Sequence, residues 1–328
     1  MTREILIEVK NLKTHFPVKR KRLKEKKKVV KAIDNISLVI YKGETLGIVG
    51  ESGSGKSTLG RTILKLTEPT SGEIYYRNTP ITKLKGSELQ KYRNAMQMVF
   101  QDPYSSLNPR MRVGDILQEP MKLQLSMSKE DRQKRVLTLL EKVGLRADAV
   151  DKFPHEFSGG QRQRIGIARA LAINPAFIIG DEPVSALDVS VQSQVLNLMM
   201  DLQEEFNLTY LFISHDLSVV KHISDRVAVM YLGNIVEIGE KEKIFATPRH
   251  PYTNALLQAI PVVDFTKKRE TNPLKGDLPN PINPPIGCVF HTRCPHVIPK
   301  CQQKKPLLQG TDAQQVACFL YEGETTNV

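Results

Sequence analysis

The sequence predicts an α/β fold with a mainly parallel sheet flanked by helices. Short apolar runs, "TLGIVG", "AMQMVF", "AFIIGD", "YLFIS" and "VAVMY", have the length and composition of buried strands. Helical patterns separate several of them, as crossovers between parallel strands require. One run passes into a glycine-rich loop that opens a helix, an arrangement that aims backbone N–H groups at an anion.

In chain order, residues 1–16 alternate apolar and polar and read as a strand. Residues 19–31, "KRKRLKEKKKVVK", hold nine Lys/Arg against one Glu, so this insert carries two thirds of the net charge of +12. It reads as a solvated surface loop or as a contact for anionic lipid or nucleic acid. No interleaved aromatics or recognised nucleic-acid motif accompany it. "AIDNISLVIYKGE" alternates again and turns at Lys42 and Gly43, and "TLGIVG" leads into a helix from Lys56. The stretch 105–157 breaks the strand rhythm and reads as largely helical, part of an insertion spanning about 105–170. In "SQVLNLMMDLQEEF", Val195, Leu198, Met199, Leu202 and Phe206 keep to one helix face. From Pro248 onward prolines are frequent and apolar periodicity fades. A boundary is therefore expected there, with a body over 1–245 and a small proline-rich appendix over 246–328 that lacks an obvious core.

The 328 residues allow one large domain and a smaller one. Hydrophobic content of 40% and charged content of 25% are ordinary for a globular chain. No apolar run approaches the length of a membrane span, and "MTREILIEVK" has no signal-like apolar region. The expectation is a protein of the cytosol, where thiols stay reduced.

Three constellations carry chemistry. "GESGSGKST" comprises Gly50, Glu51, Ser52, Gly53, Ser54, Gly55, Lys56, Ser57 and Thr58 and fits the phosphate-loop pattern between strand and helix. Its glycines let N–H groups converge on phosphate oxygens, Lys56 supplies a point charge, and the Ser57 hydroxyl suits Mg²⁺. "AFIIGDEP" ends a strand in two acids: Asp181 is placed to hold Mg²⁺ and Glu182 to polarise an attacking water. "FSGGQRQRIGIARAL" sets a serine and two glycines before a helix whose Ile165, Ala168, Leu171 and Ala172 face inward. It reads as a second anion-binding helix start, for nucleotide held by another molecule, or simply as a helix capped by Ser158.

Phosphate loop, "SGGQ", the Asp-Glu strand end, "SALD" and His215 in "FISHD" follow one another in the order seen in ATP-binding cassette (ABC) ATPases. The resemblance covers roughly 4–245. It implies an ABC-type phosphate-loop ATPase domain with an antiparallel β subdomain and a helical insertion. It further implies Gln101 as the Q-loop glutamine at Mg²⁺ and His215 as the γ-phosphate switch. Phe16 would be the aromatic stacked on adenine. Ser158, Gly159, Gly160 and Gln161, with Asp188, would form the signature and D-loop at a partner's ATP. Phe157 replaces the usual leucine of that signature. "VGESGSGKST", "QDPYSSLNPR", "HPYT" and the cysteine-bearing tail are together similar to the ATPases of oligopeptide/dipeptide importers, most of all the second, F-type subunit. That implies ATP hydrolysis coupled to peptide uptake at the cytoplasmic face of the membrane, as a peripheral subunit. The implied partners are a second homologous ATPase, two transmembrane permease subunits and an extracellular peptide-binding protein, with no nucleic acid. Importers of nickel or other small ligands share these features. A soluble ABC ATPase acting on DNA or ribosomes is the rival reading. Against it, only about a hundred residues, without heptads, separate phosphate loop and signature.

Cys288, Cys294, Cys301 and Cys318 are the only cysteines. Clustered thiols in a reducing compartment favour metal over disulfide. The tight pairs usual for zinc are absent, and looser spacing suits an iron–sulfur cluster, which the resemblance to peptide-importer ATPases implies to be a four-iron one. Zinc and unmetallated or redox-sensing thiols stay open as alternatives. His291 and His296 are further ligand candidates, and Arg293 beside Cys294 is expected to favour a thiolate.

Overall fold

The computed structural model describes residues 3–18, 28–259 and 276–323. Most of the basic insert, residues 19–27, lies outside the described residues. The strands are β1 (Ile5–Pro17), β2 (Val29–Tyr41), β3 (Thr45–Val49), β4 (Ser71–Tyr76), β5 (Thr79–Pro80), β6 (Met96–Val99), β7 (Phe177–Asp181), β8 (Thr209–Ile213), β9 (Arg226–Tyr231), β10 (Asn234–Glu240), β11 (Gln309–Thr311) and β12 (Gln314–Val316). The helices are α1 (Lys56–Ile63), α2 (Gly86–Ala95), α3 (Pro103–Ser106), α4 (Val113–Gln124), α5 (Lys129–Lys142), α6 (Gly159–Leu171), α7 (Val189–Phe206), α8 (Leu217–Ile223), α9 (Lys241–Ala246), α10 (Pro251–Gln258) and α11 (Pro299–Gln303). They fold into two compact units interleaved along the chain.

The first unit comprises Tyr41–Glu44 and Lys83–Ile213 with the extreme N-terminus. β6, β7 and β8 are parallel neighbours, with Met96 opposite Phe177 and Phe177 opposite Thr209. All five residues of β7 and of β8 are buried, which is why these runs are continuously apolar rather than alternating. The helical insertion packs α4 and α5 against α6, and Leu117, Met121, Leu139, Leu140 and Ile165 on these helices are buried. On α6 the four residues expected to face inward, Ile165, Ala168, Leu171 and Ala172, are all buried. On α7 the buried stripe is Val195, Leu196, Met199 and Leu202, whereas Leu198 and Phe206 are only half-buried. The helical period alone would favour Leu198, about 60° from Val195, over Leu196, about 100° away, so the packing around the helix and not its period sets this face.

The second unit comprises Ile5–Ile40, Thr45–Thr82 and the described residues from Ser214 onward. It contains an antiparallel sheet of order β2-β1-β4-β5, with Ile7 opposite Tyr76. Its other strands begin with β3, parallel to β9 from Leu46 opposite Arg226 to Val49 opposite Val229. Helix α8 lies directly on β3: a Cβ at Gly47 would come 2.4 Å from the Ser224 hydroxyl and 2.5 Å from a Val220 methyl. β9 then pairs antiparallel with β10, β10 with β12, and β12 with β11.

The appendix therefore adds a hairpin to the body's own strands. Phe290, 1% exposed, sets its ring edge-on to Tyr231 at 5.2 Å and lies 5.4 Å from Tyr252. The fully buried Glu237 carboxylate accepts hydrogen bonds from the backbone N–H of Arg249 (2.8 Å) and of His250 (3.0 Å) and from the Gln314 amide (2.8 Å). A buried carboxylate needs this full set of donors, and supplying them joins β10, the start of α10 and β12. The proline-rich tail looks coreless in sequence because its core is completed by Tyr231 of β9.

Candidate nucleotide-binding site

The phosphate loop connects β3 to α1 in the second unit. Gly50 has φ +151° and Gly55 has φ +104°. A Cβ at Gly50 would lie 2.2 Å from the Met230 carbonyl oxygen, and one at Gly55 would lie 2.2 Å from that of Ala32. Only glycine allows the backbone to run this close. Lys56, 5% exposed, folds its ammonium back into the loop and donates to the carbonyl oxygens of Gly50 (2.7 Å) and Glu51 (3.1 Å). Ser57 and Thr58 are half-buried on the first turn of α1, while Ser52 and Gly53 are exposed. The Ser54 hydroxyl is buried with no hydrogen-bond partner among the described residues. Phe16, at the end of β1, is 41% exposed, an unusual fraction for a phenylalanine. His215 is exposed just beyond β8.

The acids lie in the first unit. Asp181 closes β7 and is 2% exposed. Its oxygen donors are of the hard type that Mg²⁺ takes, as is the Ser57 hydroxyl. Glu182 follows in the left-handed region at φ +50°, with its N–H donating to the Ile213 carbonyl at 2.9 Å. Its carboxylate accepts a hydrogen bond from the Gln101 amide at 3.0 Å. The two residues are 81 positions apart, so this pairing of the expected base with the expected Q-loop glutamine was not visible in their spacing.

In the same unit Ser158 caps α6. Its hydroxyl accepts from the Gln161 N–H, and the Gln161 side chain accepts from the Ser158 N–H at 3.1 Å. This is a reciprocal capping box. Ser158 is exposed, and Gly160 is buried where a Cβ would meet a Val191 methyl at 2.3 Å. Phe157 is 8% exposed, so the place expected for leucine holds another buried apolar side chain. Asp188 is exposed before α7.

Sequence reasoning missed two arginines on α6. Arg162 stacks over the Tyr104 ring at 3.9 Å and donates to the Pro154 carbonyl at 2.7 Å. Arg169 donates to the Ser106 carbonyl. Both tie the signature helix to α3, which follows Gln101. The signal was present in "QRQRIGIARAL", where arginines interrupt an otherwise buried helix.

The tail cysteines come together: the Cys288 N–H donates to the Cys301 carbonyl at 2.8 Å. Burial is the main cause that pushes the Cys288 thiol up to about 11, and the nearby Cys301, Cys318 and Cys294 add to it. Burial likewise raises the Cys294 and Cys318 thiols. As placed, however, they do not form a ligand set: among the described residues no group of three or more His, Cys, Asp or Glu side chains is arranged to hold a metal ion. Nor does Arg293 serve the thiols as expected. Its guanidinium is directed to Glu51 and Tyr231, and burial holds Cys294 in the protonated direction.

Comparison with known proteins gives the same assignment. Residues 33–185 match the ABC transporter family model, and residues 236–301 match that of the oligopeptide/dipeptide transporter C-terminal region. Among solved structures, the ATP-binding cassette MJ0796, a dimer bound to ADP and Pi, superposes with a TM-score of 0.63 at 33% identity, covering 72% of this chain and 99% of that one. CbiO1 from Clostridium perfringens gives 0.64 at 28% identity, covering 74% and 92%. Fold and site thus define an ABC-type ATPase. At full length, the oligopeptide transport ATP-binding protein AppF of Bacillus subtilis is 53% identical over 97% of this chain and 98% of its own. The dipeptide transport ATP-binding protein DppF of Escherichia coli is 52% identical over 96% and 94%. The oligopeptide transport ATP-binding protein OppF of Salmonella typhimurium is 49% identical over 97% and 96%. The chain belongs to this family of oligopeptide/dipeptide transport ATP-binding proteins. No helix among the described residues is long and apolar enough to cross a membrane.

Proposed function

We propose that this chain binds and hydrolyses Mg-ATP to drive import of dipeptides or oligopeptides through permease subunits carried on other chains. The observation that carries the reading is the joint match to the cassette and to the peptide-transporter tail, with 49–53% identity to peptide-transport relatives over nearly the whole length. Lys56 and the loop N–H groups take the β- and γ-phosphates. Ser57, Asp181 and Gln101 hold Mg²⁺, which neutralises phosphate charge when bound. Glu182 accepts a proton from the attacking water, with Gln101 fixing its carboxylate, and His215 contacts the γ-phosphate. Ser158, Gly159, Gly160, Gln161 and Asp188 face nucleotide on a second, homologous ATPase. The chain would act as a peripheral subunit at the cytoplasmic face, with substrate arriving through an extracellular binding protein. The test is uptake of labelled di- and oligopeptides by cells carrying the intact complex. Lys56→Ala should abolish it, whereas loss of nickel uptake with normal peptide uptake would favour the metal-importer alternative.

The division into a body over 1–245 and an extension over 246–328 belongs to the same reading, as does one metal centre on Cys288, Cys294, Cys301 and Cys318. The gathering of four thiols supports that centre. Anaerobic purification with assays of iron, acid-labile sulfide and zinc decides it: stoichiometric iron and sulfide give the cluster, zinc alone gives the alternative, and four free thiols reject both.

A further inference from the structure

The tail reaches the phosphate loop itself. Arg293, its side chain 7% exposed, donates two hydrogen bonds to the Glu51 carboxylate, at 3.1 and 3.0 Å. The Tyr252 hydroxyl, on α10, accepts the Glu51 N–H at 2.9 Å. Leu278 completes the contact, with a methyl 3.6 Å from where a Cβ on Gly53 would stand. Glu51 is thus held at main chain and side chain by residues more than 200 positions away.

The charge matters more than the anchoring. Glu51 is the second residue of a loop whose purpose is to collect phosphate anions, so its carboxylate repels the ligand. The Arg293 guanidinium cancels that charge in a partly buried setting, where screening by water is weak. From this geometry we infer that Arg293 is a positioning residue for nucleotide binding: it neutralises and fixes Glu51 so that the phosphate loop accepts ATP. This goes beyond the peptide-import reading and rests only on the loop binding nucleotide.

The experiment is titration of the full-length chain with Mg-ATP and Mg-ADP by calorimetry, with a thermal melt of each variant. Arg293→Met leaves Glu51 unpaired and should weaken ATP binding about tenfold, and more than ADP, because the γ-phosphate adds charge. Glu51→Gln added to Arg293→Met removes the unpaired carboxylate and should restore affinity to within about twofold of wild type. Arg293→Lys should retain most of the affinity. A purely structural tail contact predicts something else: a lowered melting temperature that Glu51→Gln does not rescue. Unchanged ATP affinity in Arg293→Met, or a loss that the second substitution fails to restore, overturns the proposal. Should Arg293→Met not fold, Glu51→Gln alone decides: affinity equal to or above wild type supports the proposal, and a tenfold loss overturns it. A wild-type chain that binds no Mg-ATP overturns the nucleotide reading, and the proposal with it.

Discussion

Glu182 combines a strained backbone with a held carboxylate. It sits in the left-handed region at φ +50°, a conformation that costs about 1–3 kcal/mol away from glycine, and it keeps its carboxylate on the Gln101 amide. Strain of this kind persists where surrounding structure fixes it, and here the fixed group is the expected general base. Glu182→Gln should lower turnover by about 10²–10⁴ while leaving ATP binding intact, measured by steady-state hydrolysis beside nucleotide titration. Near-normal turnover would remove Glu182 from the base role. His250 offers a prediction of a different kind. It is fully buried, and burial lowers its pKa to about 3. Its Nδ1 accepts the Tyr252 N–H at 3.1 Å, so it caps α10 only as the neutral ring. The unfolded chain takes up this proton near pH 6.5 and the folded chain only near pH 3. Stability is therefore full above about 6.5 and falls with pH below it, by up to about 1.4 kcal/mol per unit. Denaturation of His250→Asn, which can still cap but cannot titrate, should show a shallower acid decline. An unaltered decline would assign it to other groups.

At the scale of elements, the signature helix is set by its first turn. The capping box of Ser158 and Gln161 satisfies N–H groups that a helix start leaves open, and Gly160 lets α6 approach α7. Gly160→Ala would place a methyl 2.3 Å from a Val191 methyl, so Val191 must turn aside or α6 must move off α7. The expected cost is about 1–3 kcal/mol in chemical denaturation. Ser158→Ala, which removes only the cap, should cost about 1 kcal/mol. If Gly160→Ala were as stable as wild type, the close approach would not constrain the helix. The arginines of α6 act at the same scale. Arg162 on Tyr104 and Arg169 on the Ser106 carbonyl connect this helix to the turn after Gln101.

For the molecule as a whole, the tail is a working part of the second unit. Phe290 occupies a bed made by Tyr231, Tyr252 and His250. Phe290→Ala should lower stability by about 3–5 kcal/mol in urea unfolding, as for other large aromatics removed from a core. A loss under 1 kcal/mol would mean that the tail packs independently of this bed. The sequence alone determined the α/β class, β3 running into α1 and the buried runs β6 to β9. Those signals are local: apolar period, glycine spacing and an acid at a strand end are written in consecutive residues. It did not show β10 or the β11–β12 hairpin, whose short polar strands exist only because partners complete their hydrogen bonds. It also turned Leu198 inward in place of Leu196, since a helix's buried face is finally chosen by what packs against it. The same holds for Arg293. Sequence placed it beside a cysteine and read it as that cysteine's partner, whereas folding brought in a carboxylate 242 residues away, and a buried guanidinium binds the strongest acceptor within its reach.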